Sequence, residues 1–361
     1  MFLAANCSVR RAERHPFAAD SAHKGRKDAP WVARRSAALL SSWMPSVYDQ
    51  FVSAERTVFS PGTTNMAEHT SIHIPVLVSE VLDALHLQPG GVVVDGTLGG
   101  GGHARRLAEQ VGRSGRVVAV DRDPQVIARA ERELAGLPIQ VAQSDFCELP
   151  EVLDAAGVEL ADGILLDLGL SSDQLADDDR GFSFESEGVL DLRFDPERGE
   201  PAWRLLARLR AETLAQILYN YGEERFSRRV AAAIVERRRY DPIRTARQLA
   251  QLVRSCVPVA KHHRIDPATR TFQALRIAVN QELASLEHAL RRLPERLAVG
   301  GRLAIISFHS LEDRRVKLAF RDDPRLRVLT RKPVRPAEAE VARNPRASSA
   351  RLRVAERVQG D

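Results

Sequence analysis

Four aspartates with a common setting are the residues that point most directly to chemistry. Each lies at the end of a short apolar run or just after it. In chain order they are Asp95, Asp121, Asp145 and Asp167. One such residue is often only a helix cap, but four at the ends of successive strands favour a ligand site. Carboxylates suit a ligand that carries positive charge, or a ribose whose hydroxyls need acceptors.

A glycine-rich loop follows the first of these aspartates. Four consecutive glycines, Gly99 to Gly102, precede His103, and a second apolar run then ends at Asp121. Glycine lets the backbone approach a ligand where a Cβ atom would collide. The pattern predicts strand, tight turn, helix and second strand, which is the βαβ nucleotide-binding arrangement, with Asp121 at the ribose.

The position of Asp95 bears on which nucleotide is bound. An NAD-dependent dehydrogenase would favour G-x-G-x-x-G with the helix N-terminus aimed at a pyrophosphate. Here a carboxylate precedes the glycines instead. S-adenosylmethionine carries a sulfonium and an ammonium group and no phosphate, so this methyl donor fits the pattern better than NAD.

Two later loops carry polar residues that core packing would not require. One runs from Asp167 through Ser171 to Gln174, and the other contains His309. Each follows a predicted strand, so both should open onto one cleft. An exocyclic amine of a nucleobase is a poor nucleophile because its lone pair is delocalised, and an enzyme needs acceptors to orient its N–H bonds and receive a proton. Asp167, Ser171 and His309 are therefore the candidate catalytic residues.

Two other reactions are disfavoured by the sequence. Ser, His and Asp side chains occur together, as in a hydrolase, but the chain has no G-x-S-x-G elbow. A cytosine carbon-5 methylase needs a nucleophilic cysteine. Cys147 follows the third predicted strand rather than the fourth and has no proline before it, so it does not fit that role.

Composition places the 361-residue chain among ordinary globular proteins, with 44% hydrophobic and 28% charged residues. No apolar run approaches the roughly 20 residues that a membrane-spanning helix needs. The three cysteines are far apart and form no C-x-x-C pair, so we expect neither a disulfide framework nor a metal site, and we expect a reducing compartment. A net charge of +5 is compatible with a polyanionic partner but is common without one.

The apolar spacing predicts the elements that position these residues. Strand and helix signals alternate through Asp167, which predicts an α/β fold with a doubly wound parallel sheet and its ligand at the carboxyl ends of the strands. From Gln174 to about Asn280 helical signals replace them, and a strand resumes at Gly301. We therefore expect an all-helical domain inserted into the sheet domain, beside the strand ends, where it would hold the substrate.

The two ends of the chain are expected to lie outside this fold. Residues 1–68 have no apolar periodicity and no secretory core, which predicts a disordered extension or a misassigned start, with Met66 as the alternative first residue. Acidic residues within it disfavour an organellar presequence. Residues 331–361 are expected to form a basic C-terminal tail, kept extended by prolines and either solvated or neutralising phosphates.

Eight motifs follow one another over about residues 69 to 358. They are His73-I-P-V-L, Asp95-G-T-L-G-G-G-G-H, Asp121-R-D-P, Leu166-D-L-G-L-S-S-D-Q, Arg180-G-F-S-F, Tyr221-G-E-E-R-F, Pro267-A-T-R-T-F-Q-A-L-R-I-A-V-N and Ile306-S-F-H-S-L-E-D-R. Together they closely resemble the ribosomal RNA small subunit methyltransferase H family, also called MraW. The resemblance implies a Rossmann-like class I methyltransferase sheet in a cytoplasmic bacterial enzyme. It also implies methyl transfer from S-adenosyl-L-methionine to the exocyclic N4 of a decoding-centre cytidine in small-subunit (16S) rRNA.

The resemblance further implies which residues and partners take part. Carried over by motif, the S-adenosylmethionine contacts are Gly101, Gly102, His103, Asp121, Phe146 against the adenine, and Asp167 and Gln174 near the methionine end. The cofactor domain would comprise residues 69–174 and 286–330, and a substrate-recognition insertion would comprise 175–285. The expected partner is small-subunit rRNA or the assembled 30S subunit. Neither membrane association nor a bound metal is expected, and the oligomeric state, possibly a dimer, is left open.

Four positions depart from the family pattern. Leu192 and Phe194 stand where methionines are more usual, Asp266 where a histidine is usual, and Ser348 where an arginine is usual. These differences bear on RNA contact rather than on the cofactor site. The alternatives are a methylase of another RNA, DNA, protein or small molecule, and an RNA-binding protein that keeps the fold without catalysis.

Overall fold

A seven-stranded sheet is the centre of the fold. The computed structural model describes residues 74–258 and 266–359. The strands are β1 Val92–Asp95, β2 Arg116–Asp121, β3 Ile139–Gln143, β4 Ala161–Asp167, β5 Leu297–Ser307, β6 Leu326–Val328 and β7 Arg351–Arg357. They lie in the order β3-β2-β1-β4-β5-β7-β6. The first five are parallel, and β7 runs antiparallel to both β5 and β6.

The strand order reverses at β1. Strand β2 pairs with one edge of β1, where Val118 lies opposite Val94, and β4 pairs with the other edge through Ile164. This is a topological switch point, where a crevice opens at the carboxyl ends of the strands. The predicted doubly wound α/β sheet is therefore confirmed, and Asp95 and Asp167 end the two strands at the crevice.

Helices cover both faces of the sheet and form the insertion. In chain order they are α1 Val78–Leu85, α2 Gly102–Val111, α3 Pro124–Glu133, α4 Leu149–Ala155, α5 Ser172–Ala176, α6 Ala202–Arg208, α7 Ala211–Gly222, α8 Ser227–Arg237, α9 Ala246–Cys256, α10 Thr269–Asn280, α11 Glu282–Arg292, α12 Ser310–Asp322 and α13 Glu338–Arg343. Successive residues of a strand point to opposite sides. Val94 accordingly packs in one buried cluster with Phe320, and Val93 packs in another with Leu107. The sheet is thus a middle layer between two helical layers.

The segment between β4 and β5 is helical, as the sequence predicts. Helices α6 to α10 bury an apolar core of their own, which includes Leu218, Ile234 and Leu249. Helix α8 begins only at Ser227 rather than continuing from α7. The reason is that Glu223 takes a left-handed backbone conformation, with φ of 51°, and ends α7.

The C-terminal segment corrects the sequence-based expectation. The described part of this segment, residues 331–359, is not an extended tail, because it contains α13 and β7, and β7 fills the sheet between β5 and β6. Leu352 and Val354 are buried in the core, and Arg353 between them pairs with Asp313 at 2.6 Å. The alternation of apolar and charged residues in β7 is a strand signal that the high arginine count concealed.

Two further expectations concern the N-terminal extension and the absence of a membrane-spanning helix. The predicted N-terminal extension, residues 1–68, lies outside the described residues. Within the described ranges, no helix combines the length and the apolar character that crossing a bilayer requires.

Candidate active site

A cavity opens at the carboxyl ends of β1, β2 and β4. Ligands of doubly wound sheets bind at this switch point. The predicted site residues that line it are Asp121, Phe146, Asp167, Ser171 and Gln174. The predicted site residues that are not among the described lining residues are Gly101, Gly102, His103 and His309. The fold therefore brings the acidic ends of β2 and β4 to one opening.

The glycine-rich loop shapes the cavity wall through its early glycines. A Cβ atom on Gly96 would collide with a side chain of β4. Gly99 has a φ of 50° and donates its N–H to Asp121 Oδ2 at 2.9 Å. Gly101 precedes α2 with a φ of 74°, and Gly102 packs too closely on the chain before α1 to leave room for a Cβ atom. The last two glycines thus position the helix rather than line the cavity.

Asp121 is held by backbone donors on two sides. Its Oδ2 accepts from Gly99 and its Oδ1 accepts from the N–H of Asp123, both at 2.9 Å. Burial raises the pKa of Asp121 to about 6, although these N–H groups act to lower it. The carboxylate is therefore fixed at the end of β2, where it can accept hydrogen bonds from ligand hydroxyls.

Three buried ionisable side chains interact near the start of α2. Asp95 is fully buried and accepts from the N–H of Thr97 at 3.1 Å, and its Oδ2 has no partner among the described residues. Burial raises the pKa of Asp95 to about 6. His103 is also buried, and its Nε2 lies 3.5 Å from Asp167 Oδ2. Burial alone would lower the pKa of His103, but Asp167 and Asp95 together raise it above its ordinary value.

Asp167 presents an acceptor that no other described residue uses. Its N–H donates to Thr97 Oγ1 at 2.6 Å, which fixes the backbone at the end of β4. One carboxylate oxygen, Oδ2, is near His103, and the other, Oδ1, is buried without a hydrogen-bond partner in the described part of the chain. A buried acceptor left unpaired costs about 1–3 kcal/mol. This oxygen, on a residue that lines the cavity, therefore marks a place for a ligand donor.

Ser171 and Gln174 fix each other at the start of α5. The Ser171 hydroxyl accepts from the Gln174 N–H, and Gln174 Oε1 accepts from the Ser171 N–H, each at 3.1 Å. Gln174 Nε2 donates to Asp123 Oδ2 at 3.1 Å, and the same oxygen pairs with buried Arg180. Arg180 also donates to two carbonyls of the segment that carries Phe194. The loop after β4 is thereby joined to that segment.

Asp145 has the capping role that a single strand-end aspartate often has. It accepts from the N–H of Cys147 at 3.0 Å and from the hydroxyl of Ser285 at 2.9 Å. It also pairs with Arg122 at 3.4 Å. It is not among the described residues that line the cavity, so its contacts are structural.

His309 caps α12 and contacts Glu312, which in turn faces the cavity. Its Nδ1 accepts from the N–H of Glu312 at 3.4 Å, and its Nε2 lies 3.1 Å from Glu312 Oε1. Glu312 does line the cavity. Burial would raise the pKa of Glu312, but His309 and the buried Arg276 lower it overall. Glu312 is thus the charged group that this loop presents to a ligand.

Glu282, His309 and Glu312 are close enough to hold a metal ion, with ligand atoms within 4.8 Å of one another. Both oxygens of Glu282, however, accept from Arg276, at 2.8 and 2.9 Å. Glu312 Oε2 accepts from the N–H of Phe308 at 2.9 Å. Because Arg276 and the Phe308 N–H already pair with these carboxylates, the geometry gives no reason to place an ion among them.

Two lining residues that the sequence analysis did not assign to the cofactor site are Arg122 and Phe194. Asn280 holds Phe194, because its Oδ1 accepts from the Phe194 N–H at 2.8 Å and its Nδ2 donates to the Leu192 carbonyl at 2.7 Å. Arg122 donates to the Asn280 carbonyl at 2.8 Å and lies over the Phe194 ring. No local sequence pattern indicates this contact, because Asn280 and Phe194 are far apart in sequence. Asn280 is buried, and its polar side chain joins the two segments because it needs hydrogen-bond partners.

The sheet order and the site define a class of protein. A doubly wound sheet with a glycine-rich turn after β1 and carboxylates at the ends of β1, β2 and β4 is a Rossmann-like class I methyltransferase fold. The family described as the MraW methylase family matches residues 70–358. The chain belongs to this family, and its cofactor is S-adenosylmethionine. The resemblance recognised in the sequence is thereby confirmed.

Curated relatives match most of this chain and nearly all of their own length. The ribosomal RNA small subunit methyltransferase H of Rhodopirellula baltica is 48% identical over 298 residues, which cover 80% of this chain and 92% of the relative. The protein of the same name from a Cyanothece species is 50% identical over 289 residues, covering 80% and 95%. That of Thermomicrobium roseum is 47% identical over 312 residues, covering 81% and 95%.

Proposed function

We propose that the protein transfers a methyl group from S-adenosyl-L-methionine to the exocyclic N4 of a decoding-centre cytidine in small-subunit rRNA. Similarity to proteins named ribosomal RNA small subunit methyltransferase H supports the rRNA substrate. The observation that carries the reaction is the unpartnered Oδ1 of Asp167, a residue that lines the cavity. That oxygen is a buried acceptor with no donor from the described protein.

The residues around the cavity fit S-adenosylmethionine. When bound, this cofactor supplies a methyl group made electrophilic by the sulfonium charge. Asp121 offers carboxylate oxygens to the ribose hydroxyls, and the half-buried ring of Phe146 suits the adenine. Asp167 and Gln174 belong near the methionine end, where a carboxylate suits the ammonium group. Residues 101–103 contribute by positioning the loop at the start of α2.

The target amine needs an acceptor for its N–H bonds. Asp167 Oδ1 can accept one of them, which orients the N4 lone pair toward the methyl group. The carboxylate can then take the proton that N4 loses when the N–CH3 bond forms. Phe194 and Phe308 also line the cavity and offer apolar faces to a planar base. Ser171 lies in the same wall, whereas His309 acts on this space only through Glu312.

The same proposal assigns roles to the parts of the chain. Residues 69–174 and 286–330, extended by β7, bind the cofactor, and residues 175–285 present the RNA. In support, that insertion contributes Phe194 and Glu282 to the cavity. The partner is free small-subunit rRNA or the assembled 30S subunit, and a cytoplasmic location follows from that partner. Either a monomer or a dimer is compatible with these roles.

Methylation by the purified protein tests this proposal. The protein is incubated with methyl-labelled S-adenosylmethionine and, separately, with free small-subunit rRNA, 30S subunits, transfer RNA and duplex DNA. We expect label only with the first two, and mass spectrometry of nuclease digests should show N4-methylcytidine. Label confined to another nucleic acid, to protein or to another base would contradict the proposal and favour the alternative, a methylase of a different substrate.

A further inference from the structure

We propose that a groove on the helical insertion binds the single-stranded rRNA segment that flanks the target nucleotide. The groove lies between the exposed face of α7 and the start of α8, and five of its side chains define it here: Tyr219, Arg225, Phe226, Arg228 and Arg229. The inference rests on the proposed rRNA substrate. It deepens that proposal by naming a surface, separate from the cofactor cavity, that holds RNA bases and phosphates.

The end of α7 connects the groove to the rim of the active site. Glu223, which follows α7, accepts from the Ser310 hydroxyl at 2.7 Å. Ser310 begins α12, and Glu312 in the same first turn lines the cavity. Tyr221 of α7 also packs against the cluster that contains Leu311. RNA that leaves the cavity on this side therefore meets the groove.

Two large aromatic side chains of the groove are open to solvent. Tyr219 is 64% exposed and Phe226 is 38% exposed. Neither ring takes part in the aromatic pairs or cation–π contacts found among the described residues. Exposed rings of this kind can stack on bases of any identity, because every base has a π face.

None of the three groove arginines has an acidic partner in the part of the chain that the structure describes. The arginines at the other end of α8 differ. Arg237 pairs with Asp241 at 2.6 Å, and Arg239 pairs with Glu236 at 2.8 Å. Guanidinium groups that no carboxylate neutralises are suited to phosphate oxygens. The charge of the groove is therefore complementary to a nucleic-acid backbone.

The start of α8 departs from the usual capping sequence, although buried Glu224 accepts from the Phe226 N–H at 2.7 Å. Phe226 occupies the N-cap of α8 and makes no side-chain cap hydrogen bond within the described structure, although Ser, Thr, Asp and Asn are preferred there. Arg228 and Arg229 stand in the first turn, where the helix macrodipole favours anions, and that fully described turn holds no acidic residue. Departures from local preference concentrate at functional sites.

A second copy of the chain fits the groove less well than RNA does. A symmetric dimer places the same surface on both partners, so an interface here would bring two sets of three unpaired arginines together. Among the described lining residues, Glu212 is the one carboxylate that could offset them. Charge complementarity therefore favours a polyanion.

The test compares the wild type with Tyr219→Ala and with the double variant Arg228→Ala/Arg229→Ala. Initial rates of rRNA methylation give the KM for RNA, the KM for S-adenosylmethionine and kcat. We expect Tyr219→Ala to raise the KM for RNA about tenfold, through loss of one base stack, with the other two parameters unchanged. For the arginine variant, we expect weaker RNA binding whose log–log salt slope is shallower by about 0.7 per lost phosphate contact.

Tyr240→Ala and Arg239→Ala are the matched controls, because Tyr240 is 74% exposed and both residues lie beyond the far end of α8. Both should leave the KM for RNA unchanged. Groove variants that methylate rRNA with wild-type KM values overturn the inference. If such variants also lose a dimer, the groove belongs to self-association. A wild type that methylates no rRNA overturns the proposed function instead, so the two failures are distinguishable.

Discussion

His103 Nε2 lies 3.5 Å from Asp167 Oδ2, and only 6% and 10% of the two side chains are exposed. The contact joins the start of α2 to the end of β4. It places a histidine of raised pKa beside the carboxylate whose other oxygen has no partner in the described protein. Family resemblance implied that His103 contacts the cofactor. The geometry instead places its side chain against Asp167, where it can hold that carboxylate for the ligand.

The pairing predicts a coupled effect on stability. His103→Gln should lower the free energy of unfolding by about 1–3 kcal/mol, because it removes the imidazole that lies against the buried Asp167 carboxylate. In an Asp167→Asn background the same substitution should cost less, since no charge is left uncompensated. Urea unfolding of both single variants and the double variant measures the coupling. Strictly additive losses would show that the two side chains do not interact.

Asp121 should matter for cofactor affinity. Asp121→Ala is expected to weaken S-adenosylmethionine binding by about 1–3 kcal/mol, because the ribose hydroxyls lose their acceptor. Asp121→Asn should lose less, since an amide oxygen can still accept. Titration calorimetry measures both affinities, and Asp154→Ala, which removes a mostly exposed carboxylate on α4, is the matched control. Unchanged affinity in Asp121→Ala would remove this residue from the ribose site.

Asp167 should matter more for methyl transfer than for cofactor binding. In Asp167→Ala the target amine loses the acceptor that orients it, so kcat should fall by about 100-fold or more. Cofactor affinity should fall by less, through loss of the carboxylate near the methionine end. Single-turnover methylation and calorimetry on the same preparation separate the two effects. Equal losses in both would make Asp167 a cofactor residue only.

Asp95 should make the folded protein less stable as the pH rises. Its folded-state pKa is about 6 against an ordinary value of 3.8, so between these values the folded protein keeps a proton that the unfolded chain has released. This contribution to stability is fully present below the unfolded pKa and is lost as the pH rises through the folded pKa. Asp95→Asn removes the titration and should raise the free energy of unfolding at neutral pH by about 1–2 kcal/mol.

The difference between wild type and Asp95→Asn reports Asp95 together with its coupling to His103, because the Asp95 carboxylate helps to raise the pKa of that histidine. The two curves of unfolding free energy should converge as the pH falls from about 6 toward 4. Curves that stay parallel over this range would mean that Asp95 does not titrate there.

The sheet could be predicted from sequence as far as strand β5. Strands β1, β2 and β4 are short apolar runs bounded by glycine or aspartate, and such runs depend little on distant context. Strand β7 could not be predicted in the same way. Its arginines suggest a solvated tail, and only pairing with β5 and the Arg353–Asp313 contact make the alternating pattern a strand.

The candidate site was predictable where strand ends define it. Asp121 and Asp167 meet at one cavity because parallel strands end at the same edge of a sheet. His309 could not be placed, since its direction depends on the cap that it forms with Glu312. Phe194 reaches the cavity through Asn280, a contact between residues far apart in sequence that no local pattern reveals.

Mass spectrometry of small-subunit rRNA from otherwise identical cells with and without this protein tests the central claim most directly. We expect N4 methylation of one decoding-centre cytidine in cells that contain the protein, and none in cells that lack it or carry only Asp167→Ala. Small-subunit rRNA with the same modifications in all three strains would contradict the account.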